Sequence, residues 1–297
     1  MKGPRILVVH RRSAYTDIVS DNRHPEIKQL IRAENPLVRG LTAAHQSHTE
    51  SMRLVKKALK DRHITYEWRH HINDINTDDF DLVVTVGGDG TVLHASHAIA
   101  DTPVLAVNSA PGTSVGFFTC TDAAAFGEML DRVFDGDIRP VRLTRMEVRV
   151  NGETVTHRAL NDVLFCHDCP ASTTRYEIAV DSIVEDQMSS GVWISTAAGS
   201  TAAIKAAGGK AMSLRSRRLQ FLVREPCPTG GAAGQTLPQA VKGFILDGQT
   251  VEIASKTERA RLYVDGPHVV FEVKFGDRLG FTNGGRPLRL FTAEKNR

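Results

Sequence analysis

One short stretch of the sequence combines the residue types that phosphoryl-transfer chemistry needs. An apolar, valine-rich run at 82–86 ends abruptly at Gly87-Gly88-Asp89-Gly90-Thr91. The run predicts a buried parallel strand, and the glycines after it allow a ligand to approach the backbone closely. The residues from Thr91 to Ala100 predict a helix whose first N–H groups favour phosphate. Asp89 is then a carboxylate among phosphate-binding amides, where it is suited to take a proton from a hydroxyl group.

The same five residues also fit a simple tight turn, since glycine and aspartate are common turn formers. The sequence has no P-loop of the form G-x-x-x-x-G-K-[ST], and the stretch is not the G-x-G-x-x-G dinucleotide fingerprint. The turn therefore indicates phosphoryl chemistry without naming a substrate. Asp89 is the candidate general base, and the candidate phosphate contacts are Gly88, Gly90 and Thr91.

Two further blocks of residues follow in a fixed order. Ala159-Leu160-Asn161-Asp162-Val163 comes about 70 residues after the glycine turn, within a run that predicts one strand at 155–164. The segment 195–203 reads STAAGSTAA, and Ala207-Gly208-Gly209 closes that block. The order and spacing of these blocks resemble the NAD kinase family over roughly residues 81–265. The residues found within these blocks are most similar to those of the branch that holds plant NADH-kinase-type and animal mitochondrial enzymes.

The resemblance implies an enzyme that moves the γ-phosphoryl group of ATP to the 2′-hydroxyl of the adenosine ribose of NAD or NADH. Mg²⁺ would arrive with ATP. The resemblance also implies that Asn161 and Asp162 hold the adenosine end of the dinucleotide, and that Asn108 belongs to a substrate-binding segment. A capping or turn pair is the alternative for Asn161-Asp162. The residues expected to line the adenine pocket are Thr201, Ala202, Ala203, Ile204, Lys205 and Ala206; their alternative is a small-residue packing face.

Several positions depart from the usual family pattern and bear on the dinucleotide. Ala203 stands where most relatives have a tyrosine, and Ser190 stands where many have an acid. Ser172 aligns loosely with a histidine or arginine position, and Arg175 is the candidate to take over that role. These changes leave the preference between NAD and NADH open.

Two other functions compete with a dinucleotide kinase. A lipid kinase of the diacylglycerol or sphingosine type also uses a GGDGT turn, but it does not need the later blocks, and no exposed apolar stripe for membrane docking is apparent. A non-catalytic NADP(H)-binding sensor would keep the pocket and lose turnover. The intact Asp89 argues against a sensor.

Composition and charge give no sign of a nucleic-acid or membrane partner. The formal net charge is only +3, and no apolar run approaches the roughly 18 residues that span a bilayer. Because the first residues lead directly into a predicted strand at 6–9, we expect no targeting segment and a cytoplasmic location. The family resemblance leads us to expect a homodimer or homotetramer.

Cys166 and Cys169 form one C-x-x-C pair around His167 and Asp168. A structural zinc site normally needs a second such pair, which is missing, so we predict reduced cysteines and no metal site.

The periodicity of the sequence predicts two domains. Strands and helices alternate up to residue 140, which indicates an α/β domain with a Rossmann-like parallel sheet. Residues 141–277 predict a β-rich dinucleotide-binding domain, punctuated by Asn-Gly and Asp-Gly turns typical of hairpins. The tail at 278–297 is expected to return to the first domain. The polar and basic segment 11–46 is broken by Pro25 and Pro36. It is either a lid that meets ATP phosphates or a solvated loop with one helix, and we favour the loop.

Overall fold

The computed structural model describes residues 3–20, 24–70, 72, 74–228 and 236–293. The chain divides into two compact units, one formed by Met1–Val141 with Arg289–Arg297 and the other by Arg142–Leu288. The first unit has a mainly parallel sheet with helices, and the second consists of antiparallel sheets, which confirms the predicted fold class.

Strands and helices are interspersed along the first unit. They are β1 (Arg5–His10), α1 (Ala14–Ser20), α2 (Pro25–Arg32), α3 (Arg39–Asp61), β2 (Thr65–Arg69), β3 (Leu82–Gly87), α4 (Asp89–Ser96), β4 (Val104–Asn108), β5 (Thr121–Asp122) and α5 (Phe126–Phe134). The next element along the chain is β6 (Val141–Leu143). The elements that follow in the second unit are β7 (Met146–Val150), β8 (Glu153–Ala159), β9 (Asp162–His167), β10 (Thr174–Val180), β11 (Ile183–Ser189), β12 (Gly191–Ser195), α6 (Ala203–Ala206), β13 (Leu219–Arg224), β14 (Lys242–Ile245), β15 (Thr250–Ser255), β16 (Ala260–Val264), β17 (Val269–Val273) and β18 (Arg278–Thr282). The last strand is β19 (Leu288–Phe291).

The sheet of the first unit contains the strands β2-β1-β3-β4-β19 in this order, and each neighbouring pair in the series is parallel. Every residue of β3 is buried, as expected for an apolar strand covered on both faces. Helix α3 packs through one face, because its buried residues recur at intervals of three and four: His48, Ser51, Val55 and Leu59. This arrangement places the carboxyl ends of β1, β3 and β4 at one edge of the sheet.

Most of the described residues of segment 11–46 are helical, so the expectation of a solvated loop with one helix is wrong. It contains α1, α2 and the first turns of α3. Pro25 is the first residue of α2, and Pro36 opens a short 3₁₀ helix, Pro36–Val38. Proline is favoured at the first position of a helix because it has no N–H group to leave unpaired. Both prolines therefore start helices here instead of ending them.

The second unit is a sandwich of two antiparallel sheets. Their strand orders are β11-β10-β15-β18-β7-β8 and β14-β13-β12-β9-β16-β17. Inward-facing residues of both sheets form one core, with Tyr176, Phe165 and Phe281 among its largest members. On β10, buried positions alternate with more exposed ones, as a strand with one covered face requires.

Three expectations about the second unit need correction. The predicted strand at 155–164 is two strands, β8 and β9, with a break at Leu160-Asn161. The turn at Asp247-Gly248 joins β14 to β15, which lie in different sheets, so it is not a hairpin. The tail does not leave the second unit at residue 278, because β18 pairs with β15 and β7; the chain returns only at Arg289.

None of the helices in the described part of the chain has the length and apolarity needed to cross a membrane.

Candidate active site

The glycine-rich turn joins β3 to α4 in the first unit. Helix α4 begins at Asp89, not at Thr91 as predicted, and Gly88 is its N-cap. Asp89 thus occupies the first helical turn, where the helix dipole stabilises a carboxylate. A Cβ atom at Gly87 would lie 2.1 Å from Thr91 Oγ1, so this position requires glycine. Thr91 is only 5% exposed and packs against Gly87. The predicted contact of its hydroxyl with phosphate stays a prediction.

Two backbone N–H groups fix the Asp89 carboxylate. Phe117 N donates to Oδ2 over 2.9 Å, and Phe118 N donates to Oδ1 over 2.8 Å. An ionised carboxylate has about four lone-pair sites on its two oxygens, so each oxygen keeps capacity for a further partner. The side chain is therefore held in one orientation and is still able to accept a proton.

Asn108, which was predicted to contact substrate, shapes the loop that supplies those amides. Its side chain is 7% exposed; Oδ1 accepts a hydrogen bond from Ala110 N at 3.1 Å, and Nδ2 donates to Ser114 O at 3.4 Å. Gly116 has φ +63°, and a Cβ atom there would lie 2.4 Å from Asn108 Nδ2. The amide of Asn108 is thus engaged at both ends within the protein, which gives it a role in positioning the loop.

A cleft of about 210 Å³ lies beside the glycine turn within the first unit. Its walls come from the residues after β1, from one face of α3, from Gly87, Gly88 and Thr91, and from the residues after β4. Arg11 lies at this cleft, and a Cβ atom at Gly90 would be 3.8 Å from its Nη1 atom. A cationic side chain therefore stands next to the residue that follows Asp89.

In the second unit, three motif segments meet around Asn161. Asp265 accepts hydrogen bonds from Leu160 N, Asn161 N and Asp162 N, at 2.8, 2.6 and 3.2 Å. From the opposite direction, Thr196 N donates to Asn161 O at 2.9 Å. The Asp-Gly turn at 265 and the STAAGSTAA segment thus hold the Asn-Asp pair between them.

These contacts explain why the strand breaks at the Asn-Asp pair. Because Asp265 binds the N–H groups of Leu160 and Asn161, these groups are not available to a strand ladder. The prediction that the pair lies within one continuous strand is therefore wrong. A Cβ atom at Gly199 would lie 2.1 Å from Asn161 O, so the two segments pack backbone to backbone. Asn161 Oδ1 is buried and has no hydrogen-bond partner among the described residues.

Asp162 is an acid in a strongly perturbed environment. Its side chain is 7% exposed, and burial, with the nearby charge of Asp265 as a second cause, raises its pKa from 3.8 to about 7. The protonated form is therefore well populated near neutral pH. A carboxyl group in that form can donate a hydrogen bond as well as accept one. Perturbed carboxyl groups of this kind occur preferentially at functional sites.

The segment predicted to line the adenine pocket forms a 3₁₀ helix, Gly199–Thr201, followed by α6. Thr201, Ala203, Lys205 and Ala206 are exposed, and Ala202 is half-buried. Ile204 is fully buried and is the apolar residue of this single turn; its predicted place in the pocket lining stays a prediction. The other positions are open to a ligand.

The remaining predicted site residues lie on the sheets of the second unit. Ser172 N donates to Cys169 O at 3.0 Å in the turn after β9, and Arg175 is exposed on β10. Ser190 lies between β11 and β12, where its N–H group donates to Arg224 O at 3.0 Å. The structure brings no two of these three side chains into contact, and their roles stay predictions.

The C-x-x-C pair consists of free cysteines, Cys166 and Cys169. Asp168 between them pairs with Arg259 Nη2 at 2.8 Å and lies 3.1 Å from His167 Nδ1. Among the described residues, no group of three or more histidine, cysteine or acidic side chains is placed to hold a metal ion.

Two residues at these sites were not singled out from the sequence. Arg11 directly follows β1, and the position after a parallel strand is a sequence signal for the ligand edge of such a sheet. Asp265 organises the whole Asn-Asp turn, although it lies about 100 residues further along the chain. Its φ of +51°, a left-handed conformation that aspartate tolerates, is consistent with the turn-forming Asp-Gly sequence.

The model of the family described as ATP-NAD kinase N-terminal domain matches residues 6–138. A probable NADH kinase of Oryza sativa subsp. japonica is 34% identical over 290 residues, which cover 89% of this chain and 87% of the relative. The NADH kinase of Arabidopsis thaliana is 32% identical over 270 residues, covering 82% and 83% of the two chains.

Two solved structures share the fold. An NAD kinase from Archaeoglobus fulgidus in complex with ATP gives a TM-score of 0.67 at 19% identity, with 98% of this chain and 95% of that chain covered. Yeast NADH kinase complexed with NADH gives a TM-score of 0.64 at 17% identity, covering 99% and 82%.

The fold of the chain is thus the one seen in those two structures. With relatives more than 30% identical over most of its length, the chain belongs to the NAD kinase family. The resemblance drawn from the motifs is confirmed. The names of these relatives favour a dinucleotide kinase and give no support to the lipid kinase alternative.

Proposed function

We propose that the protein transfers the γ-phosphoryl group of ATP to the 2′-hydroxyl of the adenosine ribose of NAD or NADH, giving NADP or NADPH and ADP. Its membership of the NAD kinase family supports this activity. The structural feature that supports this activity most directly is the fixed carboxylate of Asp89, the first residue of α4, which Phe117 N and Phe118 N orient. A carboxylate in this place is suited to act as a base beside a polyphosphate.

In the proposed reaction, the 2′-oxygen of the ribose attacks the γ-phosphorus of ATP. A new O–P bond forms, the bond between the γ-phosphorus and the β–γ bridging oxygen breaks, and ADP leaves with that electron pair. The proton of the hydroxyl passes to Asp89. Because phosphoryl transfer depends mainly on positioning and charge neutralisation, a carboxylate fixed by two amides is more effective than one that samples several rotamers.

The second unit is proposed to bind the adenosine end of the dinucleotide. Asn161 Oδ1 is buried without a hydrogen-bond partner among the described residues, and a ligand donor such as an amino group or a hydroxyl would satisfy it. Asp162 is available to bind ribose hydroxyl groups as donor or acceptor. The exposed residues Thr201, Ala203 and Lys205 are proposed to lie along the adenine, while Ser172, Arg175 and Ser190 are proposed contacts to other parts of the dinucleotide.

Three further properties are also proposed. Mg²⁺ is expected to enter as the metal complex of ATP, because the phosphate oxygens and one or two carboxylates are the ligands this ion usually takes in such enzymes. We also propose a homodimer or homotetramer in the cytoplasm. Size-exclusion chromatography with light scattering measures the oligomeric state directly.

The test is a steady-state comparison of NAD and NADH with Mg-ATP as donor. The product is identified with two dehydrogenases, one that accepts NADP but not NAD and one that accepts NADPH but not NADH. Formation of the 2′-phosphorylated dinucleotide with matching ADP release is the expected result. An enzyme that binds dinucleotide yet forms neither NADP nor NADPH would be a sensor, and the proposed activity would be wrong.

A further inference from the structure

The cleft beside the glycine turn has the chemistry of an anion site. Its lining includes Arg11, Arg12, His45 and His48, and no acidic residue is found among the described residues that line it. Tyr15 and Thr91 add hydroxyl groups to the lining, whereas the hydroxyl groups of Ser13 and Ser109 are already hydrogen-bonded to His45 and His48. The cleft has a volume of about 210 Å³, which is a size suited to a chain of phosphate groups.

The two arginines of the cleft differ in their partners. Arg12 Nε lies 3.2 Å from Asp17 Oδ1, and Arg12 Nη2 donates to Ser20 Oγ at 2.8 Å, so its charge is already balanced. Arg11 is exposed, and no carboxylate lies within ion-pairing distance of it in the described part of the chain. Its Nη1 atom is 3.8 Å from the Cβ position of Gly90. An uncompensated guanidinium thus faces the turn that carries Asp89.

The backbone of Arg11 is fixed by a buried histidine. His48 Nε2 lies 3.0 Å from Arg11 O, and its Nδ1 lies 2.8 Å from Ser109 Oγ. Since Arg11 O only accepts, Nε2 must carry the hydrogen, and Nδ1 of a neutral ring then accepts from the serine hydroxyl. Burial lowers the pKa of His48, which is consistent with the neutral ring. His48 on α3 thus holds the residues that follow β1 and β4, and it fixes the backbone from which the Arg11 side chain extends.

We propose that Arg11 is a phosphate-binding cation of the donor site and holds the group to be transferred beside Asp89. This inference rests on the proposed kinase function and names a residue of the donor site. Guanidinium groups bind phosphate oxygens through paired hydrogen bonds and neutralise the charge that gathers there. The same chemistry fits two donors, ATP and inorganic polyphosphate.

The test compares Arg11→Gln and Arg11→Lys with Arg32→Gln, a control that removes the same charge from an exposed position at the end of α2. Isothermal titration calorimetry measures binding of Mg-ATP and of inorganic tripolyphosphate to each protein. We expect Arg11→Gln to weaken binding about 10- to 100-fold, the range for losing a charge-assisted hydrogen bond. Arg11→Lys should recover part of the affinity, and Arg32→Gln should match wild type.

The two ligands distinguish the sources of the phosphate chain. If tripolyphosphate binds wild type and loses affinity in Arg11→Gln, the phosphate chain is recognised by itself; if only Mg-ATP does so, the donor is the nucleotide. Equal affinity of wild type and Arg11→Gln for both ligands, or no binding of either ligand to wild type, overturns the inference.

Kinetics separate this inference from the proposed function. In an active enzyme, Arg11→Gln should raise the KM for ATP at least tenfold and change the KM for NAD less than threefold. A wild-type protein that makes no NADP(H), but whose tripolyphosphate binding depends on Arg11, would refute the kinase function and leave the phosphate cleft standing. Unchanged KM and kcat in Arg11→Gln would refute the role of Arg11 and leave the kinase function standing.

Discussion

Asp162 is an acid that the fold retains although its charge is unfavourable there. Burial is the main cause of its raised pKa, and Asp265, which organises the backbone around it, is the second. An asparagine of the same shape would avoid the buried charge. We infer that the carboxyl group is kept for the dinucleotide, since natural sites commonly retain groups that reduce stability when function needs them.

This leads to a prediction at the scale of one residue: Asp162→Asn should stabilise the protein more at pH 8 than at pH 5. With a pKa raised to about 7 in the folded state, Asp162 binds more protons when folded than when unfolded between about pH 4 and pH 7. The free energy of unfolding therefore falls as pH rises through that range and stays lowered above it. Denaturant unfolding at pH 8 should show a gain of about 1–3 kcal/mol in the variant.

The control for this prediction is Asp137→Asn, at an exposed position of the first unit, which should change the free energy of unfolding little at either pH. The raised pKa of Asp162 would be contradicted if the free energy of unfolding of Asp162→Asn rose equally at pH 5 and pH 8. A decrease in that free energy that grew with pH would contradict it as well.

Among the elements, it is a loop and not its own helix that orients the Asp89 carboxylate. Both amides that orient Asp89 belong to the loop that follows β4, and Gly116 with Asn108 gives this loop its shape. The conformation at Gly116 has positive φ, and the space for a side chain is already occupied by the Asn108 amide. The accuracy of the active site therefore depends on a glycine that has no chemistry of its own.

We accordingly predict that Gly116→Ala lowers both stability and turnover. The left-handed conformation and the clash with Asn108 should together reduce the free energy of unfolding by about 2–4 kcal/mol. Because the loop must shift, kcat should fall as well. Urea unfolding and steady-state kinetics measure the two effects.

Gly136→Ala is the matched control, since Gly136 has φ +79° but no atom within 4 Å of its Cβ position. It should lose only the conformational part, about 1–2 kcal/mol, and keep full kcat. An equal loss of stability in both variants, with kcat unchanged in Gly116→Ala, would show that the loop does not position the base.

The elements also show what the sequence could and could not predict. The apolar run of β3 and its glycine end were sufficient to place Asp89 at the ligand edge of a parallel sheet. Pro25 and Pro36 were misinterpreted because proline both ends and begins helices, and its neighbours alone do not decide between the two. The break at Asn161 depends on Asp265, which lies about 100 residues further along the chain. Local pattern carries no information about such a distant partner.

At the scale of the whole molecule, each unit has its own apolar core, and each carries one set of motif residues. The core of the first unit lies around β1, β3 and α3, and that of the second lies between its two sheets. The alternation of strands and helices followed by short strands was enough to predict this division. The sequence could not predict that the chain returns to the first unit only at Arg289. Strands β18 and β19 are both short, and only their pairing partners distinguish them.

Since both cores are apolar, we predict that removing metal ions affects catalysis and not folding. Dialysis against EDTA should abolish turnover and leave Tm within about 2 °C, because Mg²⁺ is proposed to enter as part of the donor substrate. Adding back Mg²⁺ should restore full turnover. A fall in Tm of many degrees after dialysis would reveal a structural metal site and contradict this account.

The central claim is that Asp89 accepts the proton of the ribose hydroxyl, and the most direct test is the kcat of Asp89→Asn. The asparagine Oδ1 atom still accepts from Phe118 N, whereas the amide group that faces Phe117 N no longer does, so a small decrease in Tm is expected. Dinucleotide affinity should stay within about threefold of wild type. We predict that kcat for NADP(H) formation falls about 10²- to 10⁴-fold, the contribution of a positioned base. A folded variant that keeps more than about a tenth of wild-type kcat would contradict the claim.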